Sequence, residues 1–260
     1  MFEKPRHLRP EFAERFKDPD VAEAYRSRPP YPVETFQLLA HLIVDSERSV
    51  LDAGCGTGNI ARPIAPLVKR VDAVDFSKPM IDVAKTLPGG YDRNIKWKLG
   101  RIEEVDLNPP YSLIVGGQSL HWVDWNIVFP RFTNALTATG HLAVVGLDDE
   151  PPWKTELMQT IAKFSTNPDY TPYDMVKAWQ ESGWFERKGE ERTPPTHFEQ
   201  SLDEYLAFLH SMSSLTRNSM GRRRADLFDR EVRRIVRRYT QSTTVEFEVS
   251  SDVVWGKLLH

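Results

Sequence analysis

The chain has 260 residues, enough for one large α/β domain. Hydrophobic residues make up 40% and charged residues 27%, an ordinary globular balance, and a formal net charge of −3 gives no argument for a nucleic-acid or membrane partner. A single cysteine, Cys55, excludes an internal disulfide and a cysteine metal cluster, and it points to a reducing, cytoplasmic compartment.

The start, Met1-Phe2-Glu3-Lys4-Pro5, lacks a signal-peptide core, and no apolar run is long enough to span a bilayer. Residues 1–35 read as a short helical arm and a turn, with Phe12, Phe16, Val21 and Tyr25 able to face a core. Tyr25-Arg26-Ser27-Arg28-Pro29-Pro30-Tyr31-Pro32 follows, and its prolines force extended backbone and end any helix. It is either a rigid linker or a flap in which Tyr25, Arg28 and Tyr31 cover a ligand. Val33 to Val44 reads as a helix with Phe36, Leu39, Leu42 and Ile43 on one face.

The central stretch is Ser49-Val50-Leu51-Asp52-Ala53-Gly54-Cys55-Gly56-Thr57-Gly58-Asn59-Ile60-Ala61. A buried strand stops, turns on Gly54, Gly56 and Gly58, and enters a helix. Glycine lets the backbone turn tightly and lets a ligand lie directly against it. The free N–H groups of the helix start attract a polar or anionic group. Asp52 is too costly to bury unpaired, so it is expected to serve the site. Gly56-x-Gly58-x-x-Ala61 also satisfies the dinucleotide fingerprint, a weak signal alone. Pro63 is tolerable only in a first helical turn, and Pro66 implies a kink or early stop.

Strand two runs from Arg70 to Asp75; Ser77 then caps a helix with Pro79 near its start. Asp75 stands where a βαβ unit places a ribose-binding acid, and a carboxylate can accept from both ribose hydroxyls. Strand three is Ile95 to Leu99, before Gly100-Arg101-Ile102-Glu103-Glu104. Strand four is Leu113 to Gly117, before Gln118-Ser119-Leu120-His121-Trp122-Val123-Asp124. Gly116-Gly117 suits a strand end where backbone approaches a ligand. A helix spans about Asp124 to Thr137, and strand five is His141 to Leu147. His121 could act as a general base, since imidazole titrates near neutrality, or it could fix the loop that carries Trp122. Trp122 suits an apolar acceptor pocket.

Beyond residue 148 the pattern turns mostly helical, near 153–165, 173–181, 201–212 and 222–240, with a strand-like piece near 185–198. Ser201-Leu202-Asp203-Glu204 is a capping-box signature. Gly221 to Tyr239 carries arginines at 222, 223, 224, 230, 233, 234, 237 and 238, with Leu227, Phe228, Ile235, Val236 and Tyr239 as its apolar stripe. Pairs Asp226–Arg230 and Asp229–Arg233 have solvated-helix spacing. Thr243 to Val249 alternates like a strand.

Asp52 ahead of Gly54-x-Gly56-x-Gly58 resembles motif I of the class I S-adenosylmethionine (SAM) dependent methyltransferases, and the later motifs fit that family better than a dinucleotide reading. Tyr25, Arg28, Pro29, Tyr31 and Pro32 resemble the Y-x-x-x-R-P-x-Y-P signature of the trans-aconitate methyltransferase-like group, and the Leu120-His121-Trp122-x-Asp124 segment resembles that group's loop after strand four.

The resemblance implies SAM as cofactor, bound by Tyr25, Arg28, Asp52, Gly54, Gly56, Gly58, Asp75, Phe76, Met80, Arg101, Ile102, Gly117 and Gln118. Tyr31, His121 and Trp122 would line the acceptor pocket, with His121 the candidate base and no metal. The family usually carries an acid at the Arg101 position to accept the adenine amino group. Arginine cannot accept, so the Ile102 backbone, stacking or a rearranged loop would hold adenine.

The expected fold is α/β: a Rossmann-like, seven-stranded, mostly parallel sheet with helices on both faces and a mostly helical C-terminal cap over the site. It would be one domain, 1–260: arm or flap 1–35, SAM-binding core 36–147, cap 148–243 with one sheet strand, and terminal edge strand 244–260. The expected function is methyl transfer to a small-molecule acceptor through O, N or carboxylate. The alternatives are a SAM-binding protein without catalysis, or an RNA methyltransferase using the basic helix 221–239.

Overall fold

The computed structural model describes residues 4–8, 10–167 and 169–259. Met1–Glu3, Arg9, Pro168 and His260, which the arm, cap and terminal-strand expectations include, lie outside the described residues.

The arm holds two short helices, α1 (Pro10–Ala13) and α2 (Pro19–Ala24), and Asp18 caps the second by accepting the Asp20 N–H at 2.9 Å. Helix α3 (Val33–His41) follows the prolines and ends three residues before Val44. Strand β1 (Ser49–Ala53) is buried throughout. Helix α4 (Ala61–Ile64) lasts one turn, with Pro63 in that turn, and continues only as a 3-10 turn over Ala65–Leu67 that contains Pro66. The two prolines therefore act as sequence logic requires: the helix stops early. Strand β2 (Arg70–Asp75) leads to α5 (Lys78–Thr86), capped by Ser77 Oγ accepting the Met80 N–H. Then come β3 (Ile95–Leu99), β4 (Tyr111–Gly117), α6 (Trp125–Ala135) and β5 (Leu136–Glu150).

The remainder holds α7 (Lys154–Phe164), α8 (Met175–Glu181), β6 (Phe185–Arg192), β7 (Thr196–Ser201), α9 (Leu202–His210), α10 (Arg217–Met220), α11 (Arg222–Val236) and β8 (Thr244–Leu258). The capping box at Ser201 and Glu204 forms.

The sheet has eight strands in the order β3-β2-β1-β4-β5-β8-β6, with β7 on β8. Strands β1 to β5 are parallel, and β8 runs antiparallel to β5, β6 and β7. The strand order reverses between β1 and β4, so the loops after both diverge and leave a crevice at their carboxyl ends.

Two expectations need correction here. The sheet has eight strands, not seven, because the 185–198 stretch holds two strands rather than one. The C-terminal strand is not an edge. Its fifteen residues reach from β7 at one end to β6 at the other while its opposite side pairs with β5, so it lies inside the sheet.

The cap is also not one body. Helices α7, α9 and α11 share a core with β8 that includes Trp153, Tyr205, Phe228 and Phe247. Helix α8 joins the face covered by α6 instead, with Trp179 edge-on to Trp125 at 5.4 Å and to Phe129 at 5.0 Å. On α11 the buried stripe is Ala225, Phe228, Val232, Ile235 and Val236, whereas Leu227 and Tyr239 are exposed. The predicted i,i+4 pairs do not form either: Arg233 pairs with Asp203, and Asp229 pairs with His210 and Arg217.

Candidate functional site

The glycine loop lies over the end of β2. The N–H groups of Gly54 and Cys55 both donate to Val74 O at 2.9 Å. Gly54, Gly56 and Gly58 have φ of +76°, +52° and +76°, a region that side chains disfavour. Space forbids a side chain at two of them as well. A Cβ on Gly54 would sit 2.6 Å from Ser119 Cβ, and one on Gly58 2.5 Å from the Trp97 ring. At Gly56 only the Tyr25 ring comes near, at 3.8 Å, so that backbone faces open cavity.

Two carboxylates flank this loop. Asp75 accepts the Gly56 N–H at 2.8 Å on one oxygen and the Ser77 N–H at 2.8 Å on the other. Each oxygen keeps capacity for a further donor. Asp52 accepts the Ala61 N–H at 3.0 Å on one oxygen, and its other oxygen takes no hydrogen bond from the described residues. Burial pushes Asp52 up to about 7 and Asp75 up to about 6, against the pull of these backbone donors.

The cavity holds about 1050 Å³ of empty space, counting the part open at its mouth. The flap supplies one wall with Tyr25, Arg28 and Tyr31. Arg28 Nε donates to Ser211 Oγ at 2.8 Å, Nη1 donates to Gln118 Oε1 at 3.2 Å, and the guanidinium lies 4.1 Å from the Tyr25 ring centroid. It has no carboxylate partner among the described residues. Gln118 holds φ +53° at the end of β4, where its N–H donates to Val145 O. Tyr31 Oη would lie 2.9 Å from a Cβ on Gly117, so the phenol depends on glycine there.

The opposite wall brings together Phe76, Met80, Arg101, Ile102 and Glu103. Glu103 accepts the Asp124 N–H at 2.9 Å and lines the cavity. The roof was expected from the cap, but among the described residues no cap side chain lines the cavity. Ala13 and Phe16 of the arm do. Phe16 packs edge-on to Trp122 and Tyr25, each at 5.9 Å. Phe16 appeared in the sequence only as a core-facing aromatic, and nothing in its neighbourhood marks it as a ligand contact. Leu147 also lines the cavity, and its place at the end of strand five was a signal that could have found it.

Two candidate residues fall elsewhere. Gly58 supports the loop from behind, against Trp97, and does not line the cavity. His121 is off the cavity wall too. Its ring rests against Trp122 at 4.5 Å, and burial, with the charges of Lys4, His7 and Arg28, drives it down to about 3.

Residues 50–140 match a protein-family model described as a methyltransferase domain. That stretch runs from β1 through α6 and includes the glycine loop and Asp75. The chain is similar, at 31% identity over 142 residues, to an uncharacterized methyltransferase of Mycobacterium tuberculosis, covering 53% of this chain and 55% of that protein. It is 30% identical over 133 residues to a trans-aconitate 2-methyltransferase of the same species, covering 49% and 47%. The chain thus spans about half the length of the curated relatives it matches. In fold, the chain is similar to a type II methyltransferase structure from Anaeromyxobacter dehalogenans, with TM-score 0.59, 20% identity, and coverage of 88% of this chain and 96% of that one.

Proposed function

We propose that this chain is a SAM-dependent methyltransferase acting on a small molecule. The observation that carries the reading is the pairing of two raised carboxylates, Asp52 and Asp75, around an open glycine backbone at the β1–β4 switch point. The donor set fits. Asp75 has acceptor capacity for two ribose hydroxyls. Asp52 offers a free oxygen to an ammonium group, and Arg28 is a cation without a carboxylate partner, suited to the cofactor carboxylate. Phe76, Met80 and Ile102 make an apolar slot for adenine.

When bound, the cofactor would supply an activated methyl group on a sulfonium. The chain's own contribution is alignment and exclusion of water. Tyr25, Tyr31 and Phe16 close the space around the reacting end, and Gln118 and Arg28 hold the flap to the end of β4. The wall carries no imidazole, and burial pushes the Tyr25 and Tyr31 phenols up, so both remain neutral donors. We therefore propose an acceptor that attacks with its own lone pair, a carboxylate before a phenol or amine. The resemblance to a trans-aconitate methyltransferase supports this choice.

The RNA reading has little behind it. Five of the eight arginines are engaged within the chain: Arg224 with Lys163 O, Arg233 with Asp203, Arg234 with Glu231, Arg237 with Gln241 O and Arg238 with Glu156. Calorimetry with SAM and its product S-adenosylhomocysteine tests the cofactor site, and heat with a nicotinamide dinucleotide instead would overturn the reading. Transfer of a labelled methyl group to a panel of small carboxylic acids, trans-aconitate first, tests the acceptor. An ester product releases volatile label in alkali; a base-stable product would rule the carboxylate out. Cofactor binding with no labelled product from any cell extract would favour a non-catalytic binder.

A further inference from the structure

Arg101, which the resemblance places among the cofactor-binding residues, stands where the family usually has an acid. A guanidinium has donors only, so it cannot accept from the adenine amino group. It has another partner in the fold: Arg101 is ion-paired with Glu14 of the arm and lies 5.3 Å from the centroid of the Phe76 ring. Glu14 also pairs with Lys17 at 2.6 Å, and Lys17 in turn lies 5.3 Å from the same Phe76 ring. Ala13 and Phe16, on either side of Glu14, line the cavity, and Phe16 O accepts the Ser77 hydroxyl at 2.7 Å. A charge pair thus bridges the roof of the cavity to the wall that holds Phe76.

We propose that Glu14 and Arg101 form a latch that holds the N-terminal arm down over the adenosine half of the cofactor, and that its opening is the step through which cofactor enters and leaves. This rests on reading the cavity as the SAM site. Arg101 lines the cavity, and Glu14 is a positioning residue that acts through it. The arm consists of helices of four and six residues, too short to hold a conformation unaided. Side-chain anchors must therefore set its position. Lys4 donates to the carbonyls of His121 and Val123, and Arg15 donates to Thr166 Oγ1 and Ser213 O. These tie the arm to the 121–124 loop and to the cap, while Val21 and Ala22 of α2 pack on Met80 of the adenine wall. Among the described residues, Glu14–Arg101 is the ion pair that ties the arm to that wall. Both side chains are about two-fifths exposed, at 42% and 40%. Such a pair contributes little to folding, so breaking it leaves the fold intact and exposes its effect on the ligand.

The test is release of S-adenosylhomocysteine from the full chain, followed by tryptophan fluorescence in stopped flow. Glu14→Gln and Arg101→Met should each release ligand about tenfold faster, because changes at one interface act mainly on dissociation, and Met offers the adenine amino group no acceptor. The double variant should release within about threefold of either single one, the non-additivity expected of a directly interacting pair. Glu14→Arg, which adds a repulsion, should release faster still, and all variants should melt with the unaltered protein. Unchanged release in the single variants, or effects that add in the double variant, overturns the latch. If the unaltered protein gives no heat with S-adenosylhomocysteine, the cofactor reading fails and the latch with it. If it gives heat while release is unchanged in the variants, the latch alone fails.

Discussion

The floor and the roof of the cavity are built in different ways. The floor is backbone: Gly54, Cys55, Gly56, Ser77 and Ala61 offer their N–H groups to Val74 O, Asp75 and Asp52, and the parallel register of β1 and β2 fixes them all. The roof is side chains. Phe16, Tyr25 and Arg28 hang from short helices and a proline turn, and their anchors lie far away in the chain, as when Arg28 meets Ser211 across 183 positions. A rigid floor can pre-form a binding geometry; a roof held by a few side chains can open. The division separates holding a ligand from admitting it.

Breaking the floor should cost most. Gly58→Ala places a side chain at φ +76° and 2.5 Å from the Trp97 ring. Backbone strain of about 1–3 kcal/mol and overpacking of about 1–3 kcal/mol act together. Thermal melting should fall by several degrees, and calorimetry should show affinity for S-adenosylhomocysteine falling about a hundredfold or more, since the displaced loop no longer holds Asp75 and the Gly56 backbone in place for the ligand. Asp75→Asn keeps the shape but removes one acceptor oxygen and the charge. It should cost roughly 10- to 100-fold in the same affinity, the range for hydrogen bonds to a charged group, while the fold survives. Arg28→Ala removes a roof contact, and the expected loss is smaller, about tenfold. If Arg28→Ala proves worse than Asp75→Asn, the ranking of floor over roof is wrong.

The same comparison can be sharpened with pH. Asp52 and Asp75 hold their protons up to about 7 and about 6 in the folded chain, because burial penalises the charge. Unfolded, they release them near pH 4. Between these limits the folded state binds more protons, so the ligand-free protein should lose stability as pH rises from about 4 to 7. A cationic ammonium favours the ionised carboxyl, so affinity for S-adenosylhomocysteine should rise over the upper part of that window and level off above it. The measurement is the melting temperature with and without ligand at pH 6 and pH 8. A larger ligand-induced rise at pH 6 would contradict the assignment of the floor.

The floor was legible in the sequence because each of its parts is local. Asp52, the three glycines, Asp75 and the Ser77 cap each stand within a few residues of a strand end, and strand ends follow from apolar runs. The strands from β1 to β5 emerged for the same reason. The roof was legible only where the proline motif sets out Tyr25 and Arg28 as a flap; nothing near Ala13, Phe16 or Glu14 says that the arm folds back over β2 and β3. The cap misled for a related reason. A helical stretch after strand five suggested a lid, but its apolar faces are spent on β8 and on one another. Alternation reveals a strand and not its neighbours, so nothing in residues 244–260 tells that the C-terminal strand lies inside the sheet. His121 illustrates the limit at one residue: a histidine after strand four suggests a base, whereas its ring is behind the wall and held neutral.

The smallest effect should come from the region that the sequence made most conspicuous. Arg222, Arg223 and Arg230 of α11 are exposed and make no ion pair among the described residues, while the helix holds its place through Ala225, Phe228 and Val232 on its other face. Replacing all three by Glu touches neither floor nor roof. Surface changes of this kind shift stability by about 0.5 kcal/mol each or less, and the new charges repel one another only across solvent, where salt screens them. Melting should therefore move by no more than a few degrees. Affinity for S-adenosylhomocysteine should stay within about twofold, because no part of α11 lines the cavity. Labelled methyl transfer to a small acid should be equally unmoved. If transfer to small acids persists while labelling of RNA in a cell extract is lost, the arginines face a second, polyanionic substrate and the small-molecule reading is too narrow. If neither changes, the basic face is solvated surface, and binding rests on the floor and the arm alone.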